Sequence, residues 1–262
     1  MIGFVVAARY ALDFTVARVG GTVSFGEYAV VMAYAMTLAM LAAGGLPDLA
    51  NQRLPELRRL GRVGAARSFI RLGATTSLAL GIVLGSAASV VGIYVGDGAW
   101  TLSKFTLAAL VPVVALFTFR RQQVLLTGRS RLGLFAPSLV SAIAATAVLL
   151  AALVFDLVGA AVALTAVTLA YALMSLFQAR RGHVGTDGDS RPATMGEIRG
   201  WLRAGGVVVL NNVATILTAH LDVLLVAYFA TAVETGVYAA ASRLALLVTL
   251  ALAGLIPREG ES

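Results

Sequence analysis

The chain has 262 residues, of which 59% are hydrophobic and 13% are charged, and its formal net charge is +7. Together with a mean hydropathy of +0.89, this composition excludes an ordinary soluble domain and predicts an integral membrane protein. Because the sequence has no cysteine, a disulfide framework and a thiolate metal site are excluded as well.

Apolar runs of about 20 residues predict an all-α polytopic bundle with eight transmembrane helices. The predicted spans are 2–19, 28–46, 72–95, 105–119, 132–155, 157–179, 205–227 and 236–256. The fourth is short, and we expect it to continue to residue 126 with Arg120 and Arg121 snorkelling towards water. Asp156 lies in the very short connection between the fifth and sixth spans, which predicts a tight hairpin.

Basic residues alternate between connections. The connections after the second, fourth and sixth spans contain Arg53, Arg58, Arg59, Arg62, Arg67, Arg71, Arg120, Arg121, Arg129, Arg131, Arg180, Arg181, Arg191, Arg199 and Arg203. The opposite connections carry Glu27, Asp97, Asp156 and Glu234, with Lys104 at one edge. By the positive-inside rule, the arginine-rich connections and both termini are cytoplasmic. The net charge is therefore mostly a topology signal, and we expect no nucleic-acid partner.

The longest connection divides the chain into three parts: a first six-helix bundle (1–180), a linker (181–203) and the start of a second, incomplete bundle (204–262). The linker begins with a Gly/Asp/Ser-rich stretch. Residues 195–202 predict a short amphipathic helix at the cytoplasmic interface, with Trp201 as its anchor.

An internal repeat relates residues 17–47 to residues 227–257, at an offset of 210 positions. Its matched pairs are Gly26 with Gly236, Tyr28 with Tyr238, Gly44 with Gly254, and Pro47 with Pro257. The second and eighth spans, which carry these pairs, run in the same direction across the membrane. This predicts a parallel repeat of two six-helix halves. The sequence stops soon after the second copy begins, and truncation is the simplest explanation that the repeat offers.

Charged residues inside the apolar runs are the first functional candidates, since each costs about 2.5 to 3.5 kcal/mol near the centre of a span. Arg243 lies about 10 Å inside the eighth span, counted from Gly236 at 1.5 Å per residue. It can snorkel outward or face a cavity, where Asp222 would lower its cost by pairing with it. Arg9 and Asp13, four residues apart, predict a same-face ion pair that either neutralises itself or contributes to a cationic cavity.

A polar stripe runs along the seventh span. Asn211, Thr215, Thr218 and Asp222 fall within about 60° of one another on a continuous helix. Interhelical hydrogen bonding and lining of a transport cavity explain the stripe equally well. The sequence contains no metal-ligand spacing, no nucleophile paired with a base and no glycine-rich phosphate loop, so we expect no enzymatic activity.

Two segments carry a resemblance to a known family. Residues 221–243 with 256–257 resemble the start of the second half of bacterial polysaccharide biosynthesis flippases, and Phe25-Gly26-Glu27-Tyr28 with Gly44-Gly45-Leu46 resembles their second helix. These proteins belong to the multidrug/oligosaccharidyl-lipid/polysaccharide exporter superfamily. The resemblance implies two bundles that move polyprenyl-pyrophosphate-linked oligosaccharide to the outer leaflet by alternating access, without a cofactor.

The resemblance also implies roles, partners and a location. We expect Arg243, Arg9, Asn211 and Thr215 to contact substrate, and Asp222 and Asp13 to pair charges or couple ions. The expected partners are the bilayer, a polysaccharide polymerase and glycosyltransferases, in the inner membrane. Two alternatives stay open: a cation-coupled multidrug or metabolite antiporter with Asp222 as its coupling carboxylate, and a non-transporting subunit or inactive fragment.

Overall fold

The computed structural model describes residues 2–95, 101–126, 130–157, 159–181, 189–218 and 220–255, and these residues form helices and short connections. The helices are α1 (Ile2–Ala42), α2 (Leu46–Arg59), α3 (Val63–Val95), α4 (Thr101–Leu126), α5 (Ser130–Phe155), α6 (Ala160–Arg181), α7 (Met195–Thr218), α8 (Leu221–Phe229) and α9 (Ala232–Leu255). Within the described residues, five stretches are long and apolar enough to cross a membrane: 10–59, 63–92, 105–126, 133–155 and 160–181. The prediction of a multi-pass, all-helical membrane protein is confirmed.

Helix α1 covers the first predicted span and most of the second. The chain turns back between them at Gly21 (φ +73°, ψ 179°). Asp13 forms an ion pair with Arg243, and the Phe25 ring also lies against that guanidinium. Twelve residues of straight helix would separate Asp13 from Phe25 by about 18 Å, too far for one guanidinium to reach both. The two halves of α1 therefore run side by side. A positive φ at this turn favours glycine, which has no Cβ to clash with the backbone.

The α1–α2 turn uses Gly44 and Gly45, both with φ +65°. Helix α2 then buries one apolar face, made by Leu46, Leu49, Ala50, Leu54 and Leu57. Its arginines and Glu56 lie on the other side, as the period of an amphipathic helix requires. The sequence analysis did not predict this helix.

The main apolar core lies between α1, α4, α5 and α6, and many of its fully buried members are alanines. Small side chains let transmembrane helices approach closely, and close packing replaces the hydrophobic effect that lipid cannot supply. At the predicted α5–α6 hairpin, Asp156 has φ +53°, a conformation that Asp tolerates better than most residues. This turn, the turn at Gly21 and the start of α9 lie at one end of the bundle, which we call the arginine-poor end. The α1–α2 turn, the end of α4, the start of α5 and the described end of the linker lie at the other, arginine-rich end.

The predicted repeat has a structural counterpart where α1 crosses α9. A Cβ on Gly26 would lie 2.0 Å from the carbonyl oxygen of Ala232, and a Cβ on Gly236 would lie 2.4 Å from that of Thr22. Thr22 and Ala232 are themselves 210 positions apart. A contact in which each partner repeats the other's interaction is what a two-fold axis produces. The pseudo-two-fold axis of the repeat therefore passes between Gly26 and Gly236.

The end of the linker is fixed to the α2–α3 turn by a group of contacts that we call the linker clamp (Gly61, Arg62, Phe69, Asp189, Glu197, Trp201). The Asp189 N–H donates to the carbonyl of Gly61 at 2.8 Å, and the Gly64 N–H donates to the carbonyl of Asp189 at 2.8 Å. Arg62 pairs with Glu197 at 2.7 Å, and the Trp201 ring meets Phe69 edge-on at 5.2 Å.

Two expectations for this region were wrong. Trp201 is only 6% exposed, so it is a core residue rather than an interfacial anchor. The amphipathic helix is not separate either, because α7 runs unbroken from Met195 to Thr218.

The predicted seventh span is also not one continuous helix. It is interrupted before Leu221, where His220 has non-helical dihedral angles (φ −138°, ψ −6°). The continuous apolar composition of 205–227 conceals this break.

The linker clamp gives a pH-dependent prediction. The hydrogen bond from Arg62, followed by that from the Thr194 N–H, lowers the pKa of Glu197 from 4.5 to about 2. A lowered pKa means that the ionised form stabilises the fold above the unfolded value, and that this contribution disappears as the pH falls from 4.5 towards about 2. Replacing Glu197 with Gln removes the titrating group, so the wild-type advantage in melting temperature should shrink across that window. An advantage that stays constant would contradict the prediction.

Candidate functional site

A buried ion pair joins the N-terminal helix to the last one. The guanidinium of Arg243 on α9 contacts the carboxylate of Asp13 on α1, and their side chains are 23% and 9% exposed. The Tyr10 hydroxyl donates to the carbonyl of Arg243 at 2.7 Å. The Phe25 ring centroid lies 5.4 Å from the guanidinium carbon, within the range of a cation–π contact. These contacts, all from α1, position Arg243.

An internal cavity of about 100 Å³ adjoins this pair. Its walls come from both halves of α1 and from α5, α6 and α9. The lining residues are Leu12, Asp13, Tyr28, Met32, Met36, Pro137, Val140, Ser141, Val167, Tyr171 and Arg243. The polar groups among them are one carboxylate, one guanidinium and three hydroxyls. At about 30 Å³ per water molecule, the volume suits a few waters or one small polar group in this conformation.

The wall formed by α5 continues towards the arginine-rich end through a proline. Pro137 has no N–H, so the carbonyl four residues earlier, that of Gly133, cannot make its usual helical hydrogen bond. The Nε of Arg121 on α4 donates to that carbonyl at 3.0 Å. Arg121 is thus half-buried against α5 by a specific contact. The expected snorkelling does not describe this geometry.

The partner of Arg243 differs from the expected one. Asp222 lies on α8, is exposed, and accepts a hydrogen bond from the Tyr238 hydroxyl at 3.4 Å. Tyr238 precedes Arg243 by five residues on α9, about 7.5 Å nearer the arginine-poor end. Asp222 therefore lies nearer the arginine-poor end of the bundle than Arg243 does. The expected pair between Arg243 and Asp222 was wrong, and Arg243 pairs with Asp13 instead.

The other polar residues of the predicted seventh span lie away from the cavity. Asn211, Thr215 and Thr218 on α7 are all exposed, and the Thr218 hydroxyl donates to the carbonyl of Thr215 at 3.1 Å. Because the helix is interrupted before Leu221, Asp222 does not extend their stripe in the way that a continuous helix would. The side chain of Arg9 lies outside the described residues, so the expected Arg9–Asp13 pair stays a prediction.

The residues that position Arg243 were not predicted from the sequence. Tyr10 is three residues from Asp13 and shares its face of the helix, a spacing that could have indicated a common role. Phe25 precedes a matched glycine of the repeat. Ser141 and Tyr171 gave no usable signal, because single polar residues in apolar helices are common.

Comparison with known proteins identifies the family. A family model described as polysaccharide biosynthesis protein matches residues 9–257. The chain belongs to this family. The matched residues include Asp13 and Arg243, which both line the cavity. Among curated proteins, none matches this member of the polysaccharide biosynthesis family.

The fold of this polysaccharide biosynthesis protein is similar to that of a solved transporter. That structure is described as the inward-facing conformation of a multidrug resistance MATE family transporter of the MOP superfamily. The TM-score is 0.64 at 17% sequence identity, over 92% of this chain and 58% of the transporter. The chain therefore has the fold of MOP-superfamily transporters and spans 58% of the length of that relative.

Proposed function

We propose that this protein moves polyprenyl-pyrophosphate-linked oligosaccharide from the cytoplasmic to the outer leaflet by alternating access. One observation carries the proposal: in a polysaccharide biosynthesis family member, a half-buried arginine lines an internal cavity and pairs there with the carboxylate of Asp13. The cavity in this conformation is too small for an oligosaccharide. The proposal therefore assigns it to the anchoring of the charged head group, with the sugars held where the helices separate.

Arg243 is suited to a pyrophosphate by its chemistry. A guanidinium stays charged at all accessible pH values and offers a planar fork of donors that matches phosphate oxygens. In the empty protein Asp13 supplies the compensating charge, which lowers the cost of keeping the arginine away from water. An incoming pyrophosphate competes with Asp13 for the same donors. The substrate thus gains a charge-assisted contact, and the empty site remains neutral.

The proposed outward direction is the one that the family resemblance implies. The proposal puts the protein in the inner membrane, with the arginine-rich end and both termini in the cytoplasm, as the positive-inside rule favours. The substrate would then come from cytoplasmic glycosyltransferases and be delivered to a polymerase on the outer side. An anion recognised near the middle of the bundle can be reached from either side as access alternates.

The test is transport by the purified chain in vesicles. A fluorescent polyprenyl-pyrophosphate oligosaccharide is placed in both leaflets, and the fraction that an impermeant reagent can quench or modify is followed over time. We expect the protein to accelerate exchange of this lipid between leaflets relative to empty vesicles. Exchange of a polyprenyl-linked sugar without phosphate should not be accelerated. Equal rates with and without protein would overturn the proposal.

The same vesicles distinguish the antiporter alternative. Uptake of small organic cations that requires a Na⁺ or proton gradient and is lost on replacing Asp222 with Asn would favour the antiporter. For the proposed function, replacing Asp222 should leave lipid exchange intact, because this carboxylate is exposed and contacts Tyr238 rather than Arg243.

A further inference from the structure

The contact between Gly26 and Gly236 lies between the cavity and the arginine-poor end. Phe25, next to Gly26, lies against the guanidinium of Arg243, and Tyr28, two residues beyond Gly26, lines the cavity. On α9, Arg243 follows Gly236 by seven residues, about 10 Å deeper in the bundle. The crossing of α1 and α9 therefore stands directly between the buried ion pair and that end of the protein.

The crossing has almost no tolerance for a side chain. Besides the two carbonyl contacts, a Cβ on Gly26 would lie 3.0 Å from the amide nitrogen of Gly236, and a Cβ on Gly236 would lie 3.1 Å from that of Gly26. Backbone meets backbone here, and backbone cannot rotate out of the way as a long side chain can. One added methyl group on either helix must push the helices apart.

At the two glycines the nearest atoms across the contact are all backbone. The side-chain contacts between α1 and α9 lie beside the crossing, where Phe25 and Asp13 meet Arg243. The start of α9 is firm: the Thr231 N–H donates to Glu234 at 2.8 Å, and the Thr231 carbonyl accepts from Thr235. Because the two-fold axis of the repeat passes through the contact, separation moves equivalent backbone on both sides in equivalent ways.

We propose that Gly26 and Gly236 form the gate at the arginine-poor end, and that the structure captures this gate closed. A substituent at either glycine destabilises the closed state alone, so it shifts the population towards the state that is open at this end. The gate requires only that access alternates, and it does not depend on which molecule is carried.

The test uses a single reporter thiol. The chain has no cysteine, so Ser141→Cys places one thiol in the cavity wall on α5. Labelling by an impermeant maleimide is measured in vesicles of either orientation. The usual free-energy cost of overpacking a contact by one methyl group corresponds to a change on the order of tenfold in the ratio of closed to open protein. We expect Gly26→Ala and Gly236→Ala each to increase labelling from the arginine-poor side by about that factor and to decrease it from the arginine-rich side.

The matched control is Gly206→Ala on α7. It is the same substitution within a helix, but a Cβ there meets nothing within 4 Å, so labelling should equal that of the parent. Unchanged labelling in both gate variants would overturn the proposal. So would a failure of both to accumulate in the membrane while Gly206→Ala accumulates, since that result would assign the contact to assembly. The assay contains no substrate, so its outcome is separate from that of the transport test.

Discussion

Replacing Arg243 with Gln is expected to reduce exchange of the pyrophosphate-linked lipid by about 30-fold or more, because it would remove the proposed charge-assisted contact with the substrate, worth about 2 to 3 kcal/mol. The same change also removes the ion pair between Arg243 and the buried Asp13, which costs about 3 kcal/mol of stability. Loss of transport alone would therefore not separate binding from folding. Arg243→Lys keeps the charge but not the planar fork, and it should retain a fraction of the activity.

The double variant Arg243→Gln with Asp13→Asn separates the two roles. With both charges of the pair removed, the cost of breaking the pair from one side disappears, so the melting temperature should recover most of what Arg243→Gln loses. Transport should not recover, since the contact with pyrophosphate is still missing. Wild-type exchange in the double variant would show that the pair is purely structural and would remove Arg243 from the mechanism.

Asp13→Asn by itself provides a further discriminating readout. If the carboxylate competes with the substrate for Arg243, removing its charge should lower the KM several-fold, because fewer donors must be released before binding. The maximal rate should not rise, since a more tightly held substrate leaves more slowly. A purely structural carboxylate would lower the maximal rate and leave the KM unchanged. The two quantities are obtained from the same exchange assay at varied substrate density.

The sequence was sufficient for the fold class and for the repeat, for a physical reason. Length and apolarity of a span are properties of single segments, and the bilayer imposes them on every membrane helix. The matched glycines at 26 and 236 were equally visible, because a position that admits no Cβ admits only one residue type. Apolar runs do not indicate helix α2, because an amphipathic helix of 14 residues does not contain one.

The partner of Arg243 could not be chosen from sequence. Asp13 and Asp222 are both acids in apolar surroundings, and pairing with either would lower the cost of the arginine. The choice depends on how far α8 and α9 are shifted along the bundle axis relative to α1, and tertiary packing sets that shift. The interruption before Leu221 was hidden for a similar reason: an apolar segment has the same composition whether it forms one helix or two.

The second large effect is expected at the linker clamp, where Trp201→Ala should lower the free energy of unfolding by about 3 to 5 kcal/mol. Trp201 is 6% exposed, and its ring stands at 81° to that of Phe69, which in turn contacts Phe119 of α4. Truncation leaves a cavity the size of an indole between α7 and the α2–α3 turn. Leu202→Ala is the matched control, because this neighbour is 41% exposed and should cost less than about 1 kcal/mol.

Chemical denaturation of the purified protein in detergent measures both variants, and limited trypsin digestion identifies what is released. Arg199 and Arg203 lie in the docked start of α7 and are exposed, yet cleavage requires several residues around the bond to unfold locally. If Trp201 holds α7 against the first bundle, Trp201→Ala should speed cleavage at these arginines while Leu202→Ala leaves it unchanged. Equal destabilisation and equal cleavage in the two variants would mean that α7 is held elsewhere. The close approach of Gly205 to the backbone of Gly44 and Gly45 would then be the next contact to test.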